Sequence, residues 1–595
     1  MHHPPIRREL ASLTAFMNAL WREWPAAQYH SAQADIAGHA GMLKLPLSRP
    51  SGALLVPVQH YSCAGRHRFE GSLYFAPAEG LTFEVDFAQA VALLAGEPTL
   101  APGSSEDARR LFLRRVLDSA SNLLSAQQQR QADLQQLAWP QADYLAAEQG
   151  LVYGHAVHPT PKSRDEFTNE DLARYSPEFA GRTALCWFAV RDAALWQTDV
   201  GGMSASAQLE VLLASDPALA QLRADYPAEH GWHCLPVHPW QARSLRQSAS
   251  YLHWQRLNLL VDLGEAGSDW FPTSSLRTLY APQAPAMLKF SLSVRLTNSQ
   301  RVLQPEEVAR GRLIHGAFAS PLGQAFQRRC PTLGILHETA ALALRQPDGQ
   351  PLAESFVILR DNPFKAGSSA YVMATFCQDG VDGAPSMASR LLHSLAEREQ
   401  RPLQAVCLDW FERFLEVALK PFLIAQADYG ILVSAHQQNT VLALEGGYPA
   451  GMWFRDCQGT TFRAETISAL APYVPGIAAA SELSFDEPMT NRLFGYYLIV
   501  NNLLNLIATL DMDGVIDAAT LCQRTRTFLQ VLRAEPLKYP HFIDFLLDAP
   551  ELMSKGNFMI CFGNLNETTQ PEGSFRSYVP LPNPFAEAKP CPTSH

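Results

Sequence analysis

At 595 residues the chain is long enough for more than one hydrophobic core, and 47% hydrophobic against 18% charged residues excludes a disordered polymer. A formal charge of -11 and a pI near 5.9, without a long Lys/Arg run, exclude a broad nucleic-acid footprint and favour a small-molecule site, whose local arginines can still hold an anion. Ten cysteines lie scattered without a Cys-x-x-Cys pair, which supplies neither a zinc knuckle nor a compact disulfide framework.

In chain order, Met1 to Arg8 is polar and leads into an amphipathic stretch rather than an apolar signal core, so the chain is expected to stay in the cytoplasm. A helix is predicted around Leu10 to Trp24, then strands at Gly52 to Val58 and Leu81 to Val85. After Pro102-Gly103, Ser104 and Asp107 form a capping-box-like entry to a helix running towards Gln135, with Phe112, Val116, Ala120 and Leu124 at four-residue spacing. From about 150 to 390, short apolar runs such as Leu288 to Leu296 and Ser355 to Leu359 predict a mixed sheet with inserted helices. Beyond 400 come a helix at Leu408 to Ala425, a sheet over Ile431 to Leu444 with Trp453 to Phe454, and helices at Thr490 to Leu510 and Ala518 to Leu532. The apolar stretch Tyr496 to Leu510 is broken by three asparagines and falls short of the ~20 residues of a membrane span, so it reads as a buried helix. Residues after Val579 read as an irregular tail. The division expected is an N-terminal helical and strand lobe at 1–144, a central lobe with a nucleotide cradle at 145–395, and a C-terminal lobe at 396–595.

Three constellations can carry chemistry. Gly154 to Arg164, with His155, His158, Lys162, Ser163 and Arg164 between Pro159 and Pro161, resists regular helix and either aims cationic donors at an anion or is a solvated turn. Thr273 to Thr278, followed by Lys289, Arg295 and Arg301, offers hydroxyls, amides and cations for phosphate, although it is neither a Walker A loop nor a dinucleotide fingerprint; a bland turn with surface arginines fits as well. In the third, Ser434 to Asn439 precedes Phe454-Arg455-Asp456: Asn439 and Asp456 oxygens can hold Mg2+ between phosphates, or serve as strand-end hydrogen bonds. Three further sites stand beside these. Pro236 to Trp240 reads as a pocket wall or, more commonly for such a pattern, as a histidine, His238, packed under Trp240; Glu354 with Arg360 and Asp361 reads as a charge network or ligands, and Lys555 with Asn557 as surface residues.

Taken in order, GHAVHPTPKSR at 154–164, LPVHPWQ at 235–241, SSLRTL at 274–279, KFSLSVRLTNSQR at 289–301, HGAF at 315–318, AHQQN at 435–439 and FRDCQGT at 454–460 resemble the NRPS-independent siderophore synthetases, the aerobactin and achromobactin synthetase family, over roughly residues 145 to 580. The resemblance implies a cupped α/β fold of mixed α+β layers, with an N-terminal helical lobe and a kinase-like C-terminal lobe, commonly as a homodimer. It implies ATP and Mg2+ as cofactors and an acyl-adenylate formed from a carboxylate, which an amine, amino acid or amino alcohol then attacks. The HPTPKS form is similar to that of members starting from free citrate.

Roles carried over by motif make Ser275, Arg277, Thr278, Lys289 and Arg301 ligands of ATP or carboxylate. His158, Lys162, Ser163, Arg164 and Gln438 fall on the nucleotide side, and His436, Asn439 and Asp456 on the phosphate and metal side. Lys289, Arg301 and His436 are the catalytic candidates, and Lys555 matches a lysine near the acceptor. Two other classes compete: a small-molecule phosphotransferase, which releases ADP rather than AMP, and a siderophore-binding protein or ferric-siderophore reductase, to which the C-terminal region has a distant similarity. An iron-sulfur reductase needs clustered cysteines, whereas Cys561 and Cys591 stand far apart.

Overall fold

The computed structural model of the chain describes residues 9–31, 40–296, 299–565 and 578–586. Helix and sheet are mixed throughout, as the sequence predicts, and the side chains sort into three main cores.

The N-terminal core is a six-stranded antiparallel sheet between Gln28 and Val85, covered by helices Leu10–Glu23, Phe87–Gly96 and the first half of Glu106–Gln135. The long helix begins one residue later than its sequence suggests: Ser105 is the cap, its hydroxyl accepting from the Ala108 amide at 3.2 Å. Its buried stripe also departs from strict four-residue spacing. An α-helix turns every 3.6 residues, so after Phe112, Val116 and Ala120 the face reaches Leu123 rather than Leu124. Helix Asn557–Phe562, from the far end of the chain, completes this core: the Phe558 ring packs edge-to-face against Phe16 and Phe112, and Phe562 lies tilted against Phe112.

The central core lies on an eight-stranded antiparallel sheet. Its spatial order is Leu195–Asp199, Glu338–Leu344, Val357–Asp361, Ala286–Phe290, Thr278–Tyr280, Leu260–Pro272, Thr183–Arg191 and Trp232–Val237. The run Leu288 to Leu296 is therefore not one strand. It breaks at Ser291, whose hydroxyl donates to the Ala353 carbonyl at 2.6 Å and accepts from the Leu303 amide at 2.9 Å. The second half, Leu292–Leu296, leaves the sheet and pairs with Ser299–Arg301, which brings Arg301 back opposite Leu292, next to the break.

The C-terminal core combines a small sheet of Leu333–Ile335, Tyr448–Phe454, Thr440–Glu445 and Ala370–Val372 with helices from 387 onward. Both long helices here contain π-helical turns, at Leu415–Leu419 and Gly495–Leu503, a distortion that collects at functional sites. The continuous helix Glu487–Met512 is long and apolar enough to cross a membrane, but 78% of its most apolar window is buried inside the protein. Its asparagines serve the interior: Asn502 donates to the Ala435 carbonyl and the Thr440 hydroxyl, both at 2.9 Å, and Asn501 accepts from the Gln437 amide at 3.0 Å. The segment after Val579 begins as a strand, Tyr578–Pro582, paired with Glu551–Lys555, because its alternate carbonyls and amides are free to pair despite the prolines.

Candidate active site

A cavity of about 330 Å³ lies where the three cores meet. Of the residues given roles by motif, all line it except Ser163, whose hydroxyl turns back to donate to Asp165 at 3.2 Å. His238 and Arg295 also stay outside it. His238 is a helix cap, its Nδ1 accepting from the Trp240 amide, and its ring lies against Tyr175 rather than under Trp240. Arg295 donates to the Leu565 carbonyl. Of the third group, Arg360 reaches the cavity and Glu354 is exposed, while Asp361 accepts from the His337 amide.

One wall is the loop at 154–164. It turns at Gly154, whose φ of 76° favours glycine and where a Cβ would come within 3.1 Å of the Lys162 and Pro161 side chains. The Lys162 ammonium donates to the Leu151 carbonyl at 2.6 Å and to Glu178 at 3.1 Å, and Arg164 donates to the other Glu178 oxygen at 3.1 Å. Burial pushes Lys162 down to about 8 although Glu178 opposes it; burial would raise Glu178, but the two cations hold it below the usual carboxylate range. The loop is thus a fixed rim whose cations share one buried acid.

The second wall comes from the central sheet. Register places Thr278 beside Lys289, and Arg360 beside Glu338. Glu338 accepts from Lys289 at 2.8 Å and from Arg360 at 2.6 Å, leaving two cations against one carboxylate under the cavity floor. The turn above is tight: Leu276 adopts φ 66°, Ser275 Oγ accepts from the Thr278 amide at 3.3 Å, and Arg277 donates to the Arg301 carbonyl at 3.3 Å.

The third wall carries the acid. Thr440 and Phe454 are register partners, so Asn439 and Asp456 stand at neighbouring strand ends, and the Arg455 amide donates to the Asn439 carbonyl at 3.0 Å. Asp456 sits at φ 81°, a left-handed conformation costing a non-glycine residue on the order of 1–3 kcal/mol, which concentrates at functional positions. Burial would raise its carboxyl, but Lys289 at 3.4 Å, with Arg360 and Arg277, holds it well below the ordinary range, and about a third of the side chain stays accessible from the cavity. Among the described residues no three His, Cys, Asp or Glu side chains converge on a metal. One ionised carboxylate and one carboxamide nevertheless fit Mg2+, a hard cation that completes its shell with water and phosphate oxygens.

A frame that sequence reasoning missed locks the second wall to the third. Glu148, fully buried, accepts from Arg455 Nη1 and Nη2 and from the Ser274 amide at 2.8 Å. Arg455 also donates to Ser274 Oγ at 2.9 Å and to the Gln438 carbonyl, while the Gln438 side-chain amide donates to the Ser274 carbonyl at 2.8 Å. Arg455 lies in a quoted motif, but no local pattern marks Glu148, Glu178 or Glu338; their partners are remote in the chain or across the sheet.

His436 lines the cavity beside Tyr497, and burial, reinforced by Lys555, Arg455 and Arg301, pushes it down to about 4 against the pull of Asp456. It is therefore a neutral imidazole at physiological pH. Burial does the same to His67 and His238, to about 3, and to His337, to about 4. Between their unfolded pKa near 6.5 and these values the unfolded chain binds more protons, so stability is full above 6.5 and is lost as pH falls through that window. Glu23, raised to about 8 chiefly by burial, works the other way but is outnumbered. The melting temperature is expected to fall between about pH 7.5 and about pH 5, before the carboxylates titrate; a constant or rising value would contradict the neutral state of these histidines.

Separate walls of one cavity present cations, hydroxyls, one strongly ionised acid and a neutral imidazole, a lining chemically suited to anionic ligands. Residues 143–378 match the IucA / IucC family, and residues 408–570 match the family described as ferric iron reductase FhuF-like transporter. The chain is 32% identical over 590 residues to N(2)-citryl-N(6)-acetyl-N(6)-hydroxylysine synthase of Vibrio mimicus, covering 97% of this chain and 96% of that one. It is 34% identical to the rhizobactin siderophore biosynthesis protein RhbC of Rhizobium meliloti, covering 97% of each. The structure of ATP-bound aerobactin synthetase IucA from a hypervirulent pathotype of Klebsiella pneumoniae superposes with a TM-score of 0.90 at 30% identity, over 97% of this chain and 100% of that one. The chain belongs to the IucA/IucC family of NRPS-independent siderophore synthetases and is a ligase of siderophore biosynthesis. In the segment that matches the reductase family, Cys561 is buried beside the Thr160 hydroxyl, 3.3 Å away; Cys591 lies outside the described residues.

Proposed function

We propose that the protein activates citrate with ATP-Mg2+ and passes the citryl group to an amine-bearing acceptor of the hydroxylysine type, releasing AMP and pyrophosphate. The observation that carries this reading is the meeting of the Ser275–Thr278 turn, the Lys289–Glu338–Arg360 cluster and the Asn439/Asp456 pair around one cavity. The relatives named above support the substrate classes.

A citrate carboxylate oxygen attacks the α-phosphorus of ATP and pyrophosphate leaves. The acceptor nitrogen then attacks the acyl carbon and AMP leaves. Bound between Asn439 and Asp456, Mg2+ would neutralise phosphate charge. Arg277, Lys289 and Arg301 bring the two anions together and stabilise charge developing on phosphorus. His436, neutral in this environment, can take the proton that the attacking nitrogen loses. The loop 154–164, with His158 and Lys162, borders the nucleotide, and Lys555 borders the acceptor. A three-lobed division at 144 and 395, a homodimer and a cytoplasmic location belong to the same reading.

The test is exchange of labelled pyrophosphate into ATP, which should depend on citrate. ADP as the nucleotide product would establish a phosphotransferase instead. Arg301→Ala is expected to lower citrate-dependent exchange by roughly ten- to a hundredfold, the worth of one charge-assisted contact, without moving the melting temperature. Equal losses of activity and thermal stability would reduce Arg301 to a structural role.

A further inference from the structure

The cavity extends beyond Lys555 to the N-terminal helix, where Ala11, Thr14, Ala15 and Arg22 line it. No sequence motif pointed there. Arg22 donates from Nε and Nη2 to the Gly65 carbonyl, at 3.3 and 2.7 Å, and from Nη1 to the Ser554 hydroxyl at 3.3 Å, next to Lys555. All these acceptors are neutral. Three of the five guanidinium donors are engaged, and one on each terminal nitrogen remains for a ligand.

The acids nearby are committed elsewhere. Glu23 accepts from the Phe558 and Met559 amides at 2.6 and 2.8 Å, and its carboxyl, raised to about 8, is largely protonated at neutral pH. Asp379 is held by Arg66 at 2.7 Å and Arg68 at 3.4 Å. Arg22 remains charged, lowered by burial only to about 10, and among the described residues no carboxylate comes within ion-pair distance of it. A second guanidinium at this end, Arg66, has a buried Nε with no hydrogen-bond partner. An enclosed cation without a counter-ion is costly unless an anion arrives with the ligand.

We propose that Arg22, which lines the same cavity as Lys555, is the subsite for the acceptor's carboxylate, so that the acceptor is an amino-acid derivative rather than a plain diamine or amino alcohol. The proposal rests on the ligase reading above. A carboxylate could also be brought by citrate itself, and the two sources separate by half-reaction, because pyrophosphate exchange needs citrate but no acceptor.

The experiment compares wild type, Arg22→Gln and Arg22→Lys in citrate-dependent exchange and in amide formation. Its acceptor probes are N6-acetyl-N6-hydroxylysine and the same molecule lacking its carboxylate. Wild type should prefer the carboxylate-bearing acceptor in kcat/KM by at least about tenfold, the worth of a charged hydrogen-bonded contact. Arg22→Gln should abolish that preference by raising KM for the carboxylate-bearing acceptor alone, with Arg22→Lys intermediate and the KM for citrate in exchange changed less than about threefold. A raised KM for citrate would assign Arg22 to citrate and overturn the proposal, as would equal wild-type use of both acceptors. Absence of citrate-dependent exchange in wild type would instead overturn the ligase reading. If Arg22→Gln melts early, Arg22→Lys, which keeps the charge and a donor, together with the wild-type acceptor preference, still decides the question.

Discussion

Asp456→Asn should cost citrate-dependent exchange roughly a hundred- to a thousandfold, the scale on which a preorganised electrostatic group acts in a closed site. The substitution keeps size and shape but removes the acid that stands beside Asn439 at the strand ends and contacts Lys289. The loss should be partly offset by raised Mg2+, because a carboxamide can still ligate, only more weakly. Stability should change little: Lys289 keeps Glu338 at 2.8 Å, and Asp456 is accessible enough for solvent to screen its charge. Exchange measured against Mg2+ concentration, beside a melting curve, checks this. Near-normal exchange would mean that Asp456 ends a strand and does no more.

Glu148→Ala should have the opposite signature. Its carboxylate is the sole acid paired with the Arg455 guanidinium among the described residues, and both side chains are fully enclosed. Removing one partner of such a pair leaves a buried charge and costs on the order of 3–5 kcal/mol. The melting temperature should drop by several degrees, and exchange should fall too, because Glu148 also holds the Ser274 amide and thereby the turn bearing Ser275 and Arg277. Adding Arg455→Met should recover part of the stability, since the orphaned charge is gone, but not the exchange, since the turn is still loose. A single variant that melts like wild type would show that the Glu148–Arg455 pair does not hold these walls together.

Asp456 is legible in the sequence because it sits in a short ordered motif next to Arg455 and after AHQQN, and its chemistry follows from residue type. Glu148 was missed because nothing around it in the chain differs from an ordinary helix end. Lys162 and Arg164 were identified as cations of the loop, but their shared acid, Glu178, lies beyond a helix and gives no local signal. Lys555 and Asn557 looked like surface residues by pattern, whereas Lys555 lines the cavity and Asn557 is buried, donating to the Val157 carbonyl at 2.9 Å. Arg22 belongs with them: an arginine in the last turn of an amphipathic helix reads as solvated until the fold closes Gly65 and Ser554 over it.

By itself the sequence determined the family, the mixed helix and sheet class, most helices and strands, and the motif residues that line three walls of the cavity, because periodicity, turn residues and short motifs are local properties. Only the tertiary structure decided where the run after Lys289 breaks, that the chain's last described helix completes the first core, and which acid answers each buried cation. Those outcomes depend on side chains far apart in the chain, whose pairing is chosen by burial, since a charge removed from water must find its partner wherever the fold brings one.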